Sequence, residues 1–269
     1  MGTGSSGLKG GGGATVQQRQ EFPEAFAPGK DFEAVGGVDH VARRVSRMTQ
    51  AEWDAYASRF GADLSASDEA KLYKEWDSRN NQLYGYFRTT NAMALNKQFY
   101  DNTGKTPDQI FNKRTKQGRK DMETVDALDR AINSHKTPTD GTYYRFCNPD
   151  SLQRSYGLSD AQMKLVMQAP NMTPSQLSQL NAALQGSRAS SPGYTSVSAN
   201  RSLNAFSDPS AKQSKGYTIE RRIGVKAGTN AYAPKRNAQE SEVVFGRNFG
   251  VNFSHITVEG NHIVIHEYN

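Results

Sequence analysis

The sequence contains one cysteine, Cys147, and five histidines among its 269 residues. A single thiol forms neither an intrachain disulfide nor a thiolate metal cluster. No histidine lies near Cys147 in the sequence, which favours a buried structural residue over a nucleophile. The histidines show no metal-ligand spacing. We therefore expect a protein without a disulfide framework and without a bound metal.

Long hydrophobic runs are also lacking. Hydrophobic residues make up 35% of the chain and charged residues 22%, and no apolar run approaches the roughly 20 residues that a membrane-spanning helix needs. The N-terminus lacks the basic stretch followed by an apolar stretch of a secretory signal. These absences predict no transmembrane segment and no secretion by the general pathway. Delivery by a specialised route, or synthesis in the cell where the protein acts, stays open.

Neither sign of charge dominates strongly, because 33 basic residues stand against 27 acidic ones, with a net charge of +6 and a pI near 9.3. This balance weakly favours an anionic partner, such as RNA, an acidic protein surface or a phosphorylated cofactor. One basic stretch is Lys113-Arg114-Thr115-Lys116-Gln117-Gly118-Arg119-Lys120. Its simplest interpretation is an exposed helix or loop face, and the alternative is a contact with nucleic acid or an acidic target.

Three regions follow one another along the chain. Residues 1–30 are rich in glycine, serine, glutamine and alanine, which predicts a flexible leader, whether native or a linker remnant. In residues 31–137, apolar side chains spaced three and four apart predict helices at 41–48, 49–60 and 67–100. Thr49 and Ser67 are the predicted starts of the last two, and Met122, Val125, Leu128 and Ile132 form a further amphipathic face.

After Pro138 the pattern changes to short strands. They are predicted at 142–147, 193–198, 217–225, 243–245, 253–259 and 262–268, with one helical insert at 173–184 that Thr173 and Pro174 open. Helices first and strands later indicate an α+β fold. We expect one folded domain over residues 31–269, with a mainly helical part at 31–137 and a β-rich part at 138–269.

The β-rich part carries three polar motifs in a fixed order. An arginine lies in an early strand, Tyr143-Tyr144-Arg145, and a hydroxyl-rich strand follows, Tyr194-Thr195-Ser196-Val197-Ser198. Two glutamates then precede an apolar strand, in Glu240-Ser241-Glu242-Val243-Val244-Phe245. This triplet resembles the arginine, Ser-Thr-Ser and Glu-x-Glu motifs of the arginine-directed mono-ADP-ribosyltransferases of the bacterial toxin and exoenzyme family, including the clostridial binary-toxin group.

The resemblance extends to about residues 67–269. Leu203-Asn204-Ala205-Phe206 follows the serine strand as an Ala-Phe pair does in the family, and Lys226-Ala227-Gly228-Thr229-Asn230-Ala231-Tyr232 is similar to its Pro-Lys-Gly…Ala-Tyr strand end. Tyr86 and Asn96 resemble a helical Tyr…Asn pair. One departure is Val197 in the middle of Ser-Thr-Ser, and it faces away from Ser196 because side chains alternate along a strand.

Membership of this family would imply both fold and activity. The fold is two packed, mainly antiparallel β-sheets that form an NAD cleft, with an N-terminal helical layer over one side. The activity is cleavage of NAD and transfer of its ADP-ribose to an arginine of a target protein, by a bacterial toxin or effector or by a phage enzyme that modifies host machinery. NAD is then the substrate, no metal is required, and we expect a monomer.

The residue types of the Glu-x-Glu motif suit this chemistry. Departure of nicotinamide builds positive charge on the ribose, as in glycoside cleavage, and the carboxylate of Glu242 stabilises it. On an extended segment Glu240 points to the same side, roughly 6.5 Å away. A carboxylate there binds the guanidinium of the acceptor and takes its proton. The form Glu-x-Glu, rather than Gln-x-Glu, favours arginine as the acceptor over asparagine, cysteine or glutamine.

Other residues receive roles from the resemblance. Arg145 would bind the pyrophosphate of NAD, because its planar guanidinium supplies several donors. Ser196 would hold Glu242 and the ribose in register, and Phe206 would stack on the nicotinamide ring. Tyr86 and Asn96 would contact NAD, and Tyr232 would grip the target.

Plainer interpretations stay open for several of these residues. Phe206 is as well explained by core packing, and Tyr86 and Asn96 by helix packing and capping. For the whole protein, one alternative keeps NAD chemistry but transfers ADP-ribose to another side chain or to RNA. The other is a catalytically silent binding module whose cleft only recognises a partner.

Overall fold

A sheet of eight strands forms the centre of the protein. The computed structural model describes residues 50–72, 90–199, 219–235, 241–260 and 262–269. The strands are β1 (Gly141–Cys147), β2 (Arg188–Ser190), β3 (Thr195–Ser198), β4 (Ile219–Val225), β5 (Ala231–Tyr232), β6 (Glu242–Phe245), β7 (Gly250–Glu259) and β8 (His262–Tyr268). Their order in the sheet is β2-β7-β8-β4-β1-β3-β6-β5. The β4–β8 pair is parallel and the other neighbouring pairs are antiparallel.

Two halves of this sheet meet at a narrow seam. Strands β2, β7, β8, β4 and β1 form one half, and β3, β6 and β5 form the other, with Tyr144 opposite Ser198 as the paired position between them. Buried side chains of both halves share one hydrophobic cluster, in which the rings of Tyr143 and Phe245 meet edge to face at 5.6 Å. The sequence predicted two packed sheets, and these halves correspond to them, although hydrogen bonds join them into one array.

Eight α-helices surround the sheet within the described residues. They are α1 (Gln50–Ala57), α2 (Ala66–Leu72), α3 (Thr90–Asp101), α4 (Pro107–Ile110), α5 (Lys116–Ser134), α6 (Pro149–Tyr156), α7 (Asp160–Gln168) and α8 (Pro174–Leu184). Polar caps begin several of them. Thr115 and Asn148 accept backbone N–H groups of α5 and α6, and Ser159 and Thr173 open α7 and α8 with capping boxes.

The helices pack in groups. Buried side chains of α2, α3 and α5 cluster with Tyr232 and Val244 of the smaller half of the sheet and with Tyr194, which directly precedes β3. Helices α6, α7 and α8 cluster with β7, β8 and the buried Cys147. Helix α1 packs into the cluster that the two halves share. The predicted N-terminal helical layer therefore covers the smaller half, beside the seam.

The α+β class and the mainly antiparallel sheet are confirmed. All six predicted strands are present, and β2 and β5 were missed. One helical insert was predicted between the first two predicted strands, whereas three α-helices, α6 to α8, lie there. Helix α2 begins at Ala66 rather than Ser67, because the Ser65 hydroxyl accepts the Asp68 N–H at 3.1 Å. The predicted leader at 1–30, the helix at 41–48 and residues 73–89 of the long helix lie outside the described residues.

Candidate active site

Glu242 and Ser196 form the centre of the candidate site. Glu242 is the first residue of β6 and pairs with Ser198 on β3, so its side chain lies on the same face as those of Ser198 and Ser196. The Ser196 hydroxyl donates a hydrogen bond to Glu242 Oε1 at 2.5 Å, and both residues are buried. Val197 faces the opposite side and packs in the cluster shared by the two halves, as its strand position predicted.

The backbone before Glu242 is not extended. Ser241 has a φ of 46°, a left-handed conformation that costs free energy for a residue with a β-carbon. Its carbonyl still accepts the Ala199 N–H at 2.8 Å, which holds this turn against β3. The prediction that Glu240 points to the same side as Glu242, roughly 6.5 Å away, assumed an extended segment, and Ser241 does not have an extended backbone. The position of Glu240 relative to Glu242 stays a prediction. Glu240 itself lies outside the described residues.

Arg145 reaches the site from β1. The single pair between Tyr144 and Ser198 brings Arg145 alongside β3, and its Nη1 donates to the Ser196 carbonyl at 3.5 Å. Arg145 is half-buried and lines a cleft at the seam. Arg145 from the larger half of the sheet therefore contacts the main chain of Ser196 in the smaller half. Its place next to Tyr144, which pairs with Ser198, puts its side chain on the face of the sheet opposite to the side chains of Ser196 and Glu242.

Asn96 of α3 fixes the approach to β3. Its Oδ1 accepts the Tyr194 N–H at 2.8 Å, and its Nδ2 donates to the Tyr194 carbonyl at 3.0 Å. Gly193 allows this approach, since a β-carbon there would lie 2.5 Å from Asn96 Oδ1. These bonds give Asn96 a positioning function, which agrees with its plainer interpretation. A contact between Asn96 and NAD stays a prediction.

The side chain of Tyr232 is buried beside α5. Its side chain is only 7% exposed, and its ring packs edge to face against His135 at 5.7 Å, in the cluster below α5. A buried ring offers a partner little surface, and a contact between Tyr232 and the target stays a prediction. Tyr86 and Phe206, the other two aromatic residues of the predicted site, lie outside the described residues.

Three residues of the cleft region were not anticipated. Arg221 of β4 is buried and forms a two-point ion pair with Glu267 of β8, with Nε–Oε2 and Nη2–Oε1 distances of 2.8 and 2.7 Å. Tyr156 of α6 donates to Glu267 at 2.5 Å. Burial opposes the charge of Arg221, but the neighbouring carboxylate more than offsets it and raises the guanidinium pKa above its usual value. Burial and the same carboxylate raise the pKa of Tyr156.

The chain on the N-terminal side of the Glu-x-Glu segment is held by α1. The buried indole of Trp53 donates to the Pro234 carbonyl at 2.7 Å, and Gln50 Nε2 donates to the Lys235 carbonyl at 2.6 Å. Lys235 also pairs with Asp63, which follows α1. Helix α1 therefore fixes the chain six residues before Ser241.

We expect Trp53→Phe to lower the free energy of unfolding by about 1–3 kcal/mol, because the buried Pro234 carbonyl loses its hydrogen-bond donor. Unfolding in urea measures this effect. Gln50→Ala is the matched control: the exposed Gln50 donates to the next carbonyl along the chain, and its loss should cost about 0.5 kcal/mol or less. Equal losses of unfolding free energy in the two variants would contradict the conclusion that the buried hydrogen bond of Trp53 stabilises the fold more than the exposed one of Gln50.

Cys147 is buried, as its isolation from histidine predicted. Burial raises the pKa of its thiol to about 11, partly opposed by Arg221 and Arg145. The thiol is therefore protonated at neutral pH and is a poor nucleophile. Among the described residues, no group of histidine, cysteine, aspartate and glutamate could hold a metal ion. No described helix is long and apolar enough to cross a membrane.

Solved structures of bacterial enzymes share this fold. C3stau2 from S. aureus, solved with NAD, superposes with a TM-score of 0.57 and 17% identity, over 83% of this chain and 97% of that one. For the Clostridium limosum C3 exoenzyme the values are 0.53 and 17%, over 81% and 91%. The ADP-ribosylating toxin BECa of C. perfringens, solved with NADH, gives 0.51 and 15%, over 81% of this chain and 47% of that one.

At the level of sequence, no curated protein matches the chain significantly. The family model of the ADP-ribosyltransferase exoenzymes matches residues 58–267, which is most of the 269 residues and includes the three polar motifs. The chain therefore belongs to the ADP-ribosyltransferase exoenzyme family.

Proposed function

We propose that this protein splits NAD at the bond between nicotinamide and ribose and transfers the ADP-ribose to an arginine side chain of a target protein. The observation that carries the proposal is the buried hydrogen bond from Ser196 to Glu242 at the seam, with Arg145 bonded to the same strand. NAD as the donor agrees with the family and with the NAD and NADH of two related structures.

Glu242 is the proposed catalytic carboxylate. The C–N bond to nicotinamide breaks with its electron pair on the leaving nitrogen, and positive charge develops at the ribose carbon. A carboxylate beside that sugar stabilises the charge as it forms. Ser196 fixes one Glu242 oxygen through its hydroxyl, so the carboxylate needs little reorganisation when the bond breaks. Arg145 binds the pyrophosphate and positions the donor.

Glu240 is the proposed acceptor-binding residue. A guanidinium is a poor nucleophile while protonated, and a carboxylate that binds it can take one proton during attack. A guanidinium nitrogen then bonds to the ribose carbon that nicotinamide leaves, and the proton passes to Glu240 and on to solvent. The support for arginine is the residue type at this position, a glutamate rather than a glutamine.

The test is transfer of labelled ADP-ribose from NAD to agmatine and to polyarginine, with polylysine as the matched control polymer. We expect label on the two guanidinium acceptors, none on polylysine, and release of nicotinamide. Consumption of NAD with label on another side chain or on added RNA would overturn the choice of arginine. Intact NAD and unmodified acceptors would overturn the enzymatic function and favour a silent binding module.

A further inference from the structure

Most of the net positive charge of the protein lies in one short segment. Residues 113–120 contain five basic side chains and no acidic one, whereas the whole chain has a net charge of +6. The other residues together are therefore close to neutral. The segment comprises the loop before α5 and the first turns of that helix, and its basic side chains are called here the basic surface: Lys113, Arg114, Lys116, Arg119 and Lys120.

The fold keeps these charges together. Arg119 Nη1 donates to the carbonyls of Lys113 and Arg114, at 3.2 Å each, and so ties the loop to the helix. Asn112 Oδ1 accepts the Arg114 N–H at 3.0 Å. Gly118 allows the close approach of the loop, since a β-carbon there would lie 2.0 Å from the Asn112 carbonyl oxygen. The cations of the loop therefore stay next to those of the first helical turns.

The charges of the basic surface oppose stability. Lys113 pairs with Asp108, but the exposed side chains of Arg114 and Lys116 contact no carboxylate within the described part of the chain. The first turn of α5 contains no acidic residue, although the helix dipole favours negative charge there. Lys116 and Lys120 are also four residues apart on one helix, where like charges repel each other. Such an arrangement indicates binding of an anionic partner.

The composition of the segment distinguishes between two kinds of anionic partner. Residues 113–120 contain no apolar side chain, and the remaining side chains are those of Thr115 and Gln117. Interfaces between proteins have a core of apolar and aromatic side chains. Interfaces with nucleic acids are more polar and much more positively charged. The basic surface therefore fits the phosphates of a nucleic acid better than an acidic protein.

We propose that the basic surface binds the phosphate backbone of a nucleic acid. Arg114 supplies a planar guanidinium and Lys116 a compact charge, and contacts of this kind hold a strand without reading its bases. The surface lies away from the contact between α5 and the start of β3. Lys116 precedes Val125, whose carbonyl accepts the Tyr194 hydroxyl, by roughly 13 Å along the helix axis. Binding of a nucleic acid is therefore a function separate from the chemistry on NAD.

The test measures binding of a short, labelled, single-stranded RNA to the full-length protein by fluorescence anisotropy, at several salt concentrations and without NAD. The logarithm of the association constant should fall with the logarithm of the salt concentration with a slope of about −3, because each of about four phosphate contacts contributes about −0.7. The double variant Arg114→Gln/Lys116→Gln should raise the Kd about tenfold or more at about 0.1 M salt and reduce the slope by about 1.4.

The double variant Arg154→Gln/Lys164→Gln is the matched control. It removes an exposed arginine of α6 and an exposed lysine of α7, so the net charge changes by the same amount. This control should keep the wild-type Kd for RNA. Equal weakening by the two double variants, or a wild-type protein that does not bind RNA, would overturn the inference.

Competitors identify the class of partner. Unlabelled duplex RNA or duplex DNA that displaces the labelled strand supports the inference, and their relative potency shows which nucleic acid binds more tightly. Polyglutamate that displaces the strand as well as unlabelled RNA does would overturn the choice of a nucleic acid in favour of an acidic protein.

Stability and NAD cleavage separate this inference from other causes. The printed hydrogen bonds of Arg114 come from its main chain, so the fold of Arg114→Gln/Lys116→Gln should persist. Its melting temperature should stay equal or rise, because repulsion at the start of α5 decreases. A lower melting temperature would contradict the conclusion that these charges oppose stability. The variant should cleave NAD at the wild-type rate, so failure of the proposed function would appear separately, as absent cleavage in the wild type.

Discussion

Glu242→Gln should lower the rate of NAD cleavage about 100- to 1,000-fold, since the variant loses the charge that stabilises the ribose as nicotinamide leaves. The amide oxygen of glutamine can still accept from the Ser196 hydroxyl, so the fold and the affinity for NAD should change little. Release of nicotinamide from NAD without an added acceptor measures the cleavage rate. Calorimetry with NAD measures the binding.

Glu123→Gln is the matched control for Glu242→Gln. Glu123 is an exposed glutamate of α5 that pairs with Lys71, and its substitution should leave NAD cleavage at the wild-type rate. If Glu242→Gln kept more than about a tenth of the wild-type rate, a carboxylate at this position would not be the main stabilising group.

Glu240→Gln should lower the rate of transfer to agmatine about 100-fold or more, because a positioned general base commonly contributes that much. Cleavage of NAD by water should persist, since water needs no carboxylate to bind a guanidinium. The ratio of ADP-ribosyl-agmatine to free ADP-ribose, measured by chromatography in one reaction, gives both activities from the same sample.

Gln239→Ala, a change one residue upstream in the same segment, should keep the wild-type ratio of transfer to hydrolysis. Equal loss of both activities in Glu240→Gln would contradict the division of roles between the two glutamates. The pair of substitutions at Glu240 and Glu242 thus separates acceptor choice from NAD cleavage.

The strands could be predicted from the sequence because each is a local pattern. β8 was predicted with its observed bounds, and β6 was predicted one residue short of its observed start, Glu242. The strands that were missed, β2 and β5, contain three and two residues. A segment this short shows no alternation, and its pairing depends on a long neighbouring strand.

Helices α6 and α7 were missed for a different reason. Their starts carried clear signals, in the Asn148-Pro149 pair and in the Ser159…Gln162 capping box. The apolar periodicity between these signals is weak, because Leu152 is the buried residue of α6 and Met163 and Val166 are those of α7. The caps, rather than the hydrophobic spacing, are the sequence signal that marks these two helices.

Some residues of the candidate site could be predicted from local sequence motifs, and others depend on contacts between distant parts of the chain. Motif order indicated Arg145, Ser196 and Glu242. The partners of Arg221 could not be predicted, since Glu267 follows it by 46 residues and the parallel pairing of β4 with β8 is a tertiary property. The positive φ of Ser241 was equally hidden, because serine has no preference for the left-handed region that a sequence pattern could display.

The seam at Tyr144 and Ser198 makes the site a product of assembly rather than of either half of the sheet. Arg145 belongs to one half and Glu242 to the other, so a displacement between the halves would separate the proposed anion-binding arginine from the proposed catalytic carboxylate while leaving the described strands intact. The helical and sheet content measured by circular dichroism would then not show whether the protein in a sample is active. A small molecule or partner protein that binds at the seam and separates the two halves would therefore abolish the proposed activity without unfolding the protein.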